Sequence, residues 1–162
     1  MGDQSVQEQS ITHATFAIER RYPATPERVF AAFADKSVKR RWYADAKQMA
    51  VEEFEMDFRV GGRDIARFRF GEGSPFPGTA LVYHMTYQEI VPNRRVIYAY
   101  TLTFGDKIVS ASLVTFEFLP AGEETDVLFT EQGAYSEGSG GPQMREQGWR
   151  TLLEKLAGEL AE

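Results

Sequence analysis

Alternation of apolar and polar residues with a period of two runs through most of this sequence and limits what the chain can fold into. The pattern is typical of half-buried β-strands, in which successive side chains point to opposite faces. Proline- or glycine-containing turns separate the alternating segments. The sequence therefore predicts an antiparallel meander of seven strands, over residues 16–22, 53–59, 63–70, 81–89, 96–104, 109–119 and 126–132.

Helical spacing of apolar residues occurs in three places. Thr25 and Pro26 predict the start of a short helix, and a second short helix is predicted over 37–43 with Trp42 turned inward and Lys39 and Arg40 in solvent. The one long helix is predicted to run from Pro142 to about Leu160. An antiparallel sheet with one apolar face can bury it by wrapping this helix, so the expected class is α+β.

The second and third predicted strands form a hairpin with opposite charges on its polar faces. A three-residue connection at Val60, Gly61 and Gly62, with a bulge, brings the two apolar faces to the same side. This register places Glu55 opposite Arg67 and Glu53 opposite Arg69 on the solvent face. Pairing across the hairpin then explains the acidic residues of the second strand and the basic residues of the third without a functional role.

Composition excludes several functional classes. The 162 residues fit one domain, predicted over 13–162 after a disordered polar tail over 1–12, and the net charge of -6 argues against nucleic-acid and membrane partners. Without cysteine and with only two histidines, the chain lacks thiolate zinc sites, a cysteine nucleophile and three-histidine metal sites. No phosphate loop or Ser-His-Asp order is present, so we expect no catalytic residue, metal or cofactor. The absence of an export signal and of a membrane-spanning run predicts a cytoplasmic protein.

Five segments occur in an order that resembles a known superfamily. They are YPATPERVFAAFAD, RRWYA, DFRVGGR, IVPNRRVIYAY and QGWRTLLEKLAGEL. Between about Thr15 and Leu160 the chain resembles the helix-grip (START-like, SRPBCC) superfamily, and within it the group named after the C-terminal domain of the activator of the heat-shock-protein-90 ATPase. The resemblance implies a curved antiparallel sheet of about seven strands wrapped around a long C-terminal helix, with two short helices after the first strand and a cavity between sheet and helix.

This fold hosts unrelated functions, so the resemblance implies a cavity and no catalytic residue. The leading hypothesis is a non-enzymatic module that binds a small, mostly hydrophobic molecule. Aromatic residues at predicted inward positions are the candidates, since buried tyrosine hydroxyls need partners that a ligand can supply. The alternative for each is core packing. The predicted ligand-binding residues are Trp42, Phe54, Tyr83, Tyr98, Tyr100, Phe116, Glu131 and Trp149.

Two charged residues lie in phase with apolar neighbours. Arg20 and Glu131, on the first and last strands, are predicted to form a buried ion pair, or else Glu131 presents its carboxylate to a ligand. Gly148 lies inside the last helix, where glycine is unfavourable. Either a close neighbour packs against Gly148, or the space serves a ligand beside Trp149, which is expected to lie near Trp42.

Two other functions are consistent with the same sequence. One is a protein-interaction role resembling that of a co-chaperone, connected with the stress response, in which the outer face or an edge of the sheet docks on a chaperone. The other is an enzyme of the cyclase or hydrolase type, for which Arg20 and Glu131 are the available inward groups. Monomer and homodimer are both compatible with exposed edge strands.

Overall fold

The computed structural model describes residues 10–45 and 49–161. Its seven strands form one antiparallel sheet in the order β1-β7-β6-β5-β4-β3-β2. The first and last strands are neighbours, as the fold requires, and the predicted seven-stranded sheet is confirmed. Of the tail predicted over 1–12, residues 1–9 lie outside the described residues, and β1 already begins at Thr12. The strands are β1 (Thr12–Tyr22), β2 (Met49–Met56), β3 (Arg63–Phe70), β4 (Ala80–Val91), β5 (Arg95–Phe104), β6 (Lys107–Ala121) and β7 (Glu124–Tyr135).

Helices cover one face of this sheet. Helix α1 (Pro26–Ala34) begins after Thr25, whose hydroxyl accepts from the Arg28 N–H, and α2 (Lys36–Lys39) begins after Asp35, whose carboxylate accepts from the Ser37 and Val38 N–H groups. A π-helical turn (Arg40–Ala44) follows α2 directly. A 3₁₀ turn (Glu137–Ser139) precedes the long helix α3 (Gly141–Glu159).

Helix α3 lies across β1 and β7 with its apolar face on the sheet. Leu153 and Leu156 are completely buried, and the ring of Trp149 is 4.5 Å from that of Phe129. The Tyr22 hydroxyl donates to the Leu153 carbonyl oxygen over 2.8 Å. These contacts attach the helix to one half of the sheet and confirm the α+β helix-grip architecture.

The second short helix differs from its prediction. It is one α-helical turn that widens into the π-helical turn, in which the Asp45 N–H donates to the Arg40 carbonyl oxygen. The wider turn buries three consecutive residues, Trp42, Tyr43 and Ala44, whereas an α-helix with one inward face would have exposed part of such a run.

Lys39 is buried, so its predicted place in solvent is wrong. Its Nζ donates to the Asp64 carboxylate over 3.0 Å and to the Tyr87 hydroxyl over 3.1 Å, and Tyr87 also donates to Asp64. Asp64 occupies an inward position of β3, where an unpaired carboxylate would be strongly unfavourable. The lysine is drawn inward because it neutralises that charge. Arg40 is half exposed, as predicted.

The β2–β3 hairpin has a different register from the predicted one. Glu53 lies opposite Arg67, and Arg69 lies opposite Ala50, with the bulge inside β2 after Val51 rather than in the connection. The connection is longer because Gly61 and Gly62 exchange backbone hydrogen bonds with Tyr87 of β4. A side chain at Gly62 would collide with the carbonyl oxygens of Asp57 and Arg59. The charged faces still pair, Arg67 with Glu53 and Arg69 with Glu52.

Candidate functional site

A cavity of about 690 Å³ lies between α3 and the part of the sheet formed by β3, β4 and β5. Helix α3 packs mainly on β1 and β7, and it reaches β5 through the hydrogen bond from Arg145 to Tyr100. The sheet side of the wall is almost entirely apolar. It is formed mainly by Phe68, Phe70, Leu81, Tyr83, Leu102 and Phe104.

The mouth of the cavity is also apolar and is partly open to solvent. Phe76, in the loop between β3 and β4, is 49% exposed, and its ring is 5.0 Å from that of Phe104. Met144, on the first turn of α3, is 65% exposed on the opposite side. Met144 therefore lies at the opening of the cavity.

Gly148 opens the helix side of the cavity. A methyl group built at this position meets no atom within 4 Å, and Gly148 forms part of the cavity wall beside Trp149. The alternative in which a strand or the second short helix packs closely against this glycine is therefore wrong. The missing side chain leaves room along the helix.

Beside the cavity, a buried polar cluster surrounds Glu131. This carboxylate is completely buried in β7 and accepts five hydrogen bonds. An ionised carboxylate has about four lone-pair sites, so these donors use its full acceptor capacity and together compensate its lost hydration. The Glu131 network comprises Glu131 and its donors Tyr135 (2.6 Å), Tyr100 (2.7 Å), Trp149 (3.0 Å), Ser112 (3.1 Å) and Arg145 (3.4 Å).

Arg145 connects the Glu131 network to the cavity, because its side chain belongs to both. Its guanidinium donates through Nη1 to the Tyr100 hydroxyl (2.7 Å) and to Glu131, and through Nη2 to the Ser110 hydroxyl (2.8 Å). The guanidinium carbon is 5.6 Å from the ring centre of Tyr100 and 5.3 Å from that of Tyr135. This planar cation is therefore held rigidly at the wall.

The predicted ion pair between Arg20 and Glu131 is wrong. In the register of β1 and β7, Phe16 lies opposite Glu131 and Arg20 lies opposite Val127. The four-residue offset is about 13 Å along a strand, too far for a contact. Arg20 instead pairs with Glu154 of α3 at 2.6 Å, and Arg145 is the cation beside Glu131.

Comparison with known proteins identifies the family. The model of the family described as Activator of Hsp90 ATPase homolog 1-like protein matches residues 23–161. The chain belongs to this AHSA1-like family. No curated protein matches the sequence significantly.

Solved structures agree with this AHSA1-like assignment. The Mll3558 protein of Rhizobium loti is 44% identical, with 93% of this chain and 99% of that chain covered and a TM-score of 0.83. A protein of Rhizobium leguminosarum, described as putative and uncharacterized, is 34% identical, with 94% and 97% covered and a TM-score of 0.86. The AHSA1 protein of Silicibacter pomeroyi is 23% identical, with 91% and 98% covered and a TM-score of 0.70, and shares the fold.

The eight residues predicted to bind a ligand occupy three environments in this AHSA1-like domain. Tyr83 and Trp149 line the cavity. Tyr100 and Glu131 lie in the Glu131 network, next to the cavity but not on its wall. The remaining four are packed in the core and do not line the cavity, namely Trp42, Phe54, Tyr98 and Phe116. The expected proximity of Trp42 to Trp149 is indirect, because the Tyr43 ring is 5.9 Å from the first and 6.1 Å from the second.

Most of the residues on the wall were not among the predicted ligand-binding residues, and two of them, Arg145 and Tyr43, had different kinds of signal in the sequence. Arg145 precedes Trp149 by four residues and so shares its helix face with Leu153 and Leu156. Tyr43 follows Trp42 directly, and only the π-helical turn allows both to face inward. The first residue was readable from spacing, whereas the second was not.

Tyrosines near the cavity keep their protons. Burial raises the pKa of Tyr43, Tyr83, Tyr98 and Tyr100 above the ordinary value, and neighbouring Glu131 adds to the effect at Tyr100. Their hydroxyls are therefore neutral groups that can donate a hydrogen bond. Among the described residues, there is no cluster of three or more His, Cys, Asp or Glu arranged to hold a metal ion.

Tyr43 has a buried hydroxyl without a hydrogen-bond partner among the described residues. Replacing Tyr43 with phenylalanine is expected to raise the free energy of unfolding by about 1 kcal/mol, because the unsatisfied group is removed. Urea denaturation measures this change. The matched control is Tyr22→Phe, which loses the bond to Leu153 and is expected to lower stability by about 1 kcal/mol. Equal losses in both variants would show that the Tyr43 hydroxyl is satisfied in solution.

Within the described ranges, no helix combines the length and the apolar character needed to cross a membrane.

Proposed function

We propose that this AHSA1-like domain is a non-enzymatic module that binds a small, mostly hydrophobic molecule in the cavity between α3 and strands β3 to β5. The observation that carries the proposal is the cavity itself. Its volume of about 690 Å³ lies within the range of small-molecule sites, roughly 300–1,000 Å³. Its wall combines aromatic and aliphatic side chains with a few polar groups, which is the usual composition of such sites.

The arrangement of Glu131 supports binding rather than acid–base catalysis. Five donors occupy this carboxylate, and it does not form part of the cavity wall. A general acid or base must reach the reacting atom within hydrogen-bonding distance. Arg20, the other group considered for catalysis, pairs with Glu154. We place this binding role in the cytoplasm as part of the same proposal, since a chain without cysteine needs no oxidising compartment.

The proposal is tested by asking whether the protein carries and binds apolar molecules. Native mass spectrometry of the purified protein, followed by solvent extraction, detects a retained molecule. Fluorescence of the neutral probe N-phenyl-1-naphthylamine measures binding directly. Absence of a retained molecule together with absence of probe binding would overturn the proposal.

A substitution that fills the cavity provides the matching variant. Leu102 is 93% buried and lies on the wall, so Leu102→Trp is expected to weaken probe binding by at least about tenfold. The control is Thr101→Trp. Thr101 lies opposite the exposed His84 on the outer face of the sheet, and its replacement should leave probe affinity unchanged. Equal effects of the two substitutions would argue that the probe binds elsewhere.

A protein-interaction role is the second candidate, favoured by the family description and by leucines on the outer face of the sheet. Leu113 is 37% exposed and Leu119 is 46% exposed, both at outward positions of β6. In this role the outer face docks on a chaperone. The corresponding assay is the ATPase rate of Hsp90 with and without the protein, and an unchanged rate would count against this candidate.

A further inference from the structure

The charged residues on the cavity wall are all of one sign. Among the described residues that line the cavity, Arg145 and Lys155 carry charge, and none is acidic. This contrasts with a chain whose net charge is -6. The charged side chains on the wall are therefore opposite in sign to the net charge of the chain.

The guanidinium of Arg145 has an unused edge. It is 91% buried, and its hydrogen bonds to Tyr100, Glu131 and Ser110 use Nη1 and one N–H of Nη2. Nε donates to no atom of the described residues, and Nη2 carries a second N–H besides the one that donates to Ser110. Arginine presents these two donors side by side, in the geometry that a carboxylate accepts with both oxygens.

Glu131 does not cancel the attraction of Arg145 for a second anion. The Nη1 to Glu131 distance is 3.4 Å, the longest of the five contacts to that carboxylate. Four neutral donors share the negative charge of Glu131, and Arg145 contacts this carboxylate through Nη1, whereas the remaining donors belong to Nε and Nη2. The free edge therefore keeps cationic character.

Helix α3 adds positive potential along the same wall. Its N-terminus follows Gly140, which lines the cavity and provides no side-chain cap. The N-terminal end of a helix carries partial positive charge. Lys155 lies ten residues beyond Arg145, about 15 Å along the helix, and its Nζ donates to the Asp45 carbonyl oxygen. The buried donors at Arg145 are thus the specific contact, and the other groups add a general attraction.

We propose that the bound molecule is an amphipathic anion, with one carboxylate-like group on the free edge of Arg145 and an apolar body against the wall formed by Leu81, Leu102 and Phe104. This inference rests on the proposed binding function and names the chemical class of its ligand. A neutral apolar molecule of the same size leaves the two donors of Arg145 without acceptors, which is costly for a buried charged group.

The test compares two ligands that differ in charge and share one chain length. Decanoate and 1-decanol are titrated against the protein with bound N-phenyl-1-naphthylamine, and displacement of the probe is followed by fluorescence. Decanoate is expected to displace the probe at a concentration at least about tenfold lower than decanol. Displacement of the probe by decanoate and decanol at the same concentration would overturn the inference and leave the proposed function intact. Failure of the probe, decanoate and decanol to bind would overturn both.

Two variants connect the preference to Arg145. In Glu131→Gln, the opposing charge and one acceptor oxygen are lost while the size of the side chain is kept, so the ratio of decanol to decanoate concentrations should rise. In the double variant Glu131→Gln, Arg145→Gln, the charged pair is removed together and the ratio should fall to about one. Circular dichroism verifies that each variant is folded. A ratio unchanged in Glu131→Gln would contradict the inference even if the double variant does not fold.

Discussion

Above a pH of about 10 the protein is expected to unfold in one cooperative step, because all of its tyrosines are held in the protonated form by the fold. The chain contains seven tyrosines, and burial is the first cause of a raised pKa for every one of them. Nearby carboxylates, Asp64 at Tyr87 and Glu131 at Tyr100 and Tyr135, raise the pKa further. The seven tyrosines are Tyr22, Tyr43, Tyr83, Tyr87, Tyr98, Tyr100 and Tyr135.

The direction of this effect follows from proton binding. In the unfolded chain a tyrosine loses its proton near pH 10, whereas in the folded protein it keeps the proton to a higher pH. The folded state therefore binds more protons above pH 10, and the free energy of unfolding falls by about 1.4 kcal/mol per pH unit for each tyrosine. Seven tyrosines together contribute about 10 kcal/mol per pH unit, which is as large as the whole stability of an ordinary domain.

Lys39 acts in the opposite direction but is a single group. Burial lowers its pKa, against the raising effect of Asp64, so its contribution to stability increases with pH up to the ordinary pKa of lysine, about 10.4. It offsets at most one of the seven tyrosines, at about 1.4 kcal/mol per pH unit.

The alkaline transition is measured by two signals in one titration. Circular dichroism reports the sheet, and ultraviolet absorbance reports tyrosinate. Both are expected to change together within about one pH unit. Tyrosines that ionise one after another near pH 10 while the sheet remains intact would contradict the expectation, since they would then be accessible to solvent in the folded protein.

Replacing Glu131 with alanine is expected to lower the free energy of unfolding by about 3–5 kcal/mol. The substitution leaves the buried Arg145 without its countercharge. It also removes the shared acceptor for the buried Tyr100, Tyr135 and Trp149 donors. Urea denaturation, monitored by tryptophan fluorescence and circular dichroism, measures the loss.

The control for Glu131→Ala is an acidic residue that forms an ion pair on the surface. Glu154 is 71% exposed in its pair with Arg20, so Glu154→Ala should change stability by about 0–1 kcal/mol. A further variant, Glu131→Leu with Arg145→Met, removes both buried charges and should lose less than the sum of the two single replacements. Similar small losses in Glu131→Ala and Glu154→Ala would mean that water reaches the Glu131 network.

The order and type of the strands could be predicted because burial of one sheet face forces a period of two on the sequence. The position of the long helix followed from apolar spacing in the same way. The hairpin register could not be predicted, because it depends on Gly61 and Gly62 pairing with Tyr87, which is distant in sequence. Local turn rules apply to an isolated hairpin. Here, pairing with the neighbouring strand β4 determines the length of the connection between β2 and β3.

The candidate site was less predictable than the fold because its polar residues act in pairs. Lys39 and Arg145 look like solvent residues when judged singly, and each is buried because a carboxylate on another element requires a cation. Asp64 and Glu131 were both at inward positions of their strands in the sequence. Their partners lie on helices, and only the packing of helix against sheet determines which cation reaches each carboxylate.

Because α3 is attached to β1 and β7, the residues that hold the domain together differ from those that would contact a molecule bound in the cavity. Leu153, Leu156 and Phe129 secure the helix, while Leu81, Leu102 and Phe104 line the cavity. Substitutions in the second group alter the shape and polarity of the cavity and leave the packing of α3 on β1 and β7 unchanged. A domain built in this way can acquire a new selectivity through changes in a few wall residues while the attachment of its long helix is preserved.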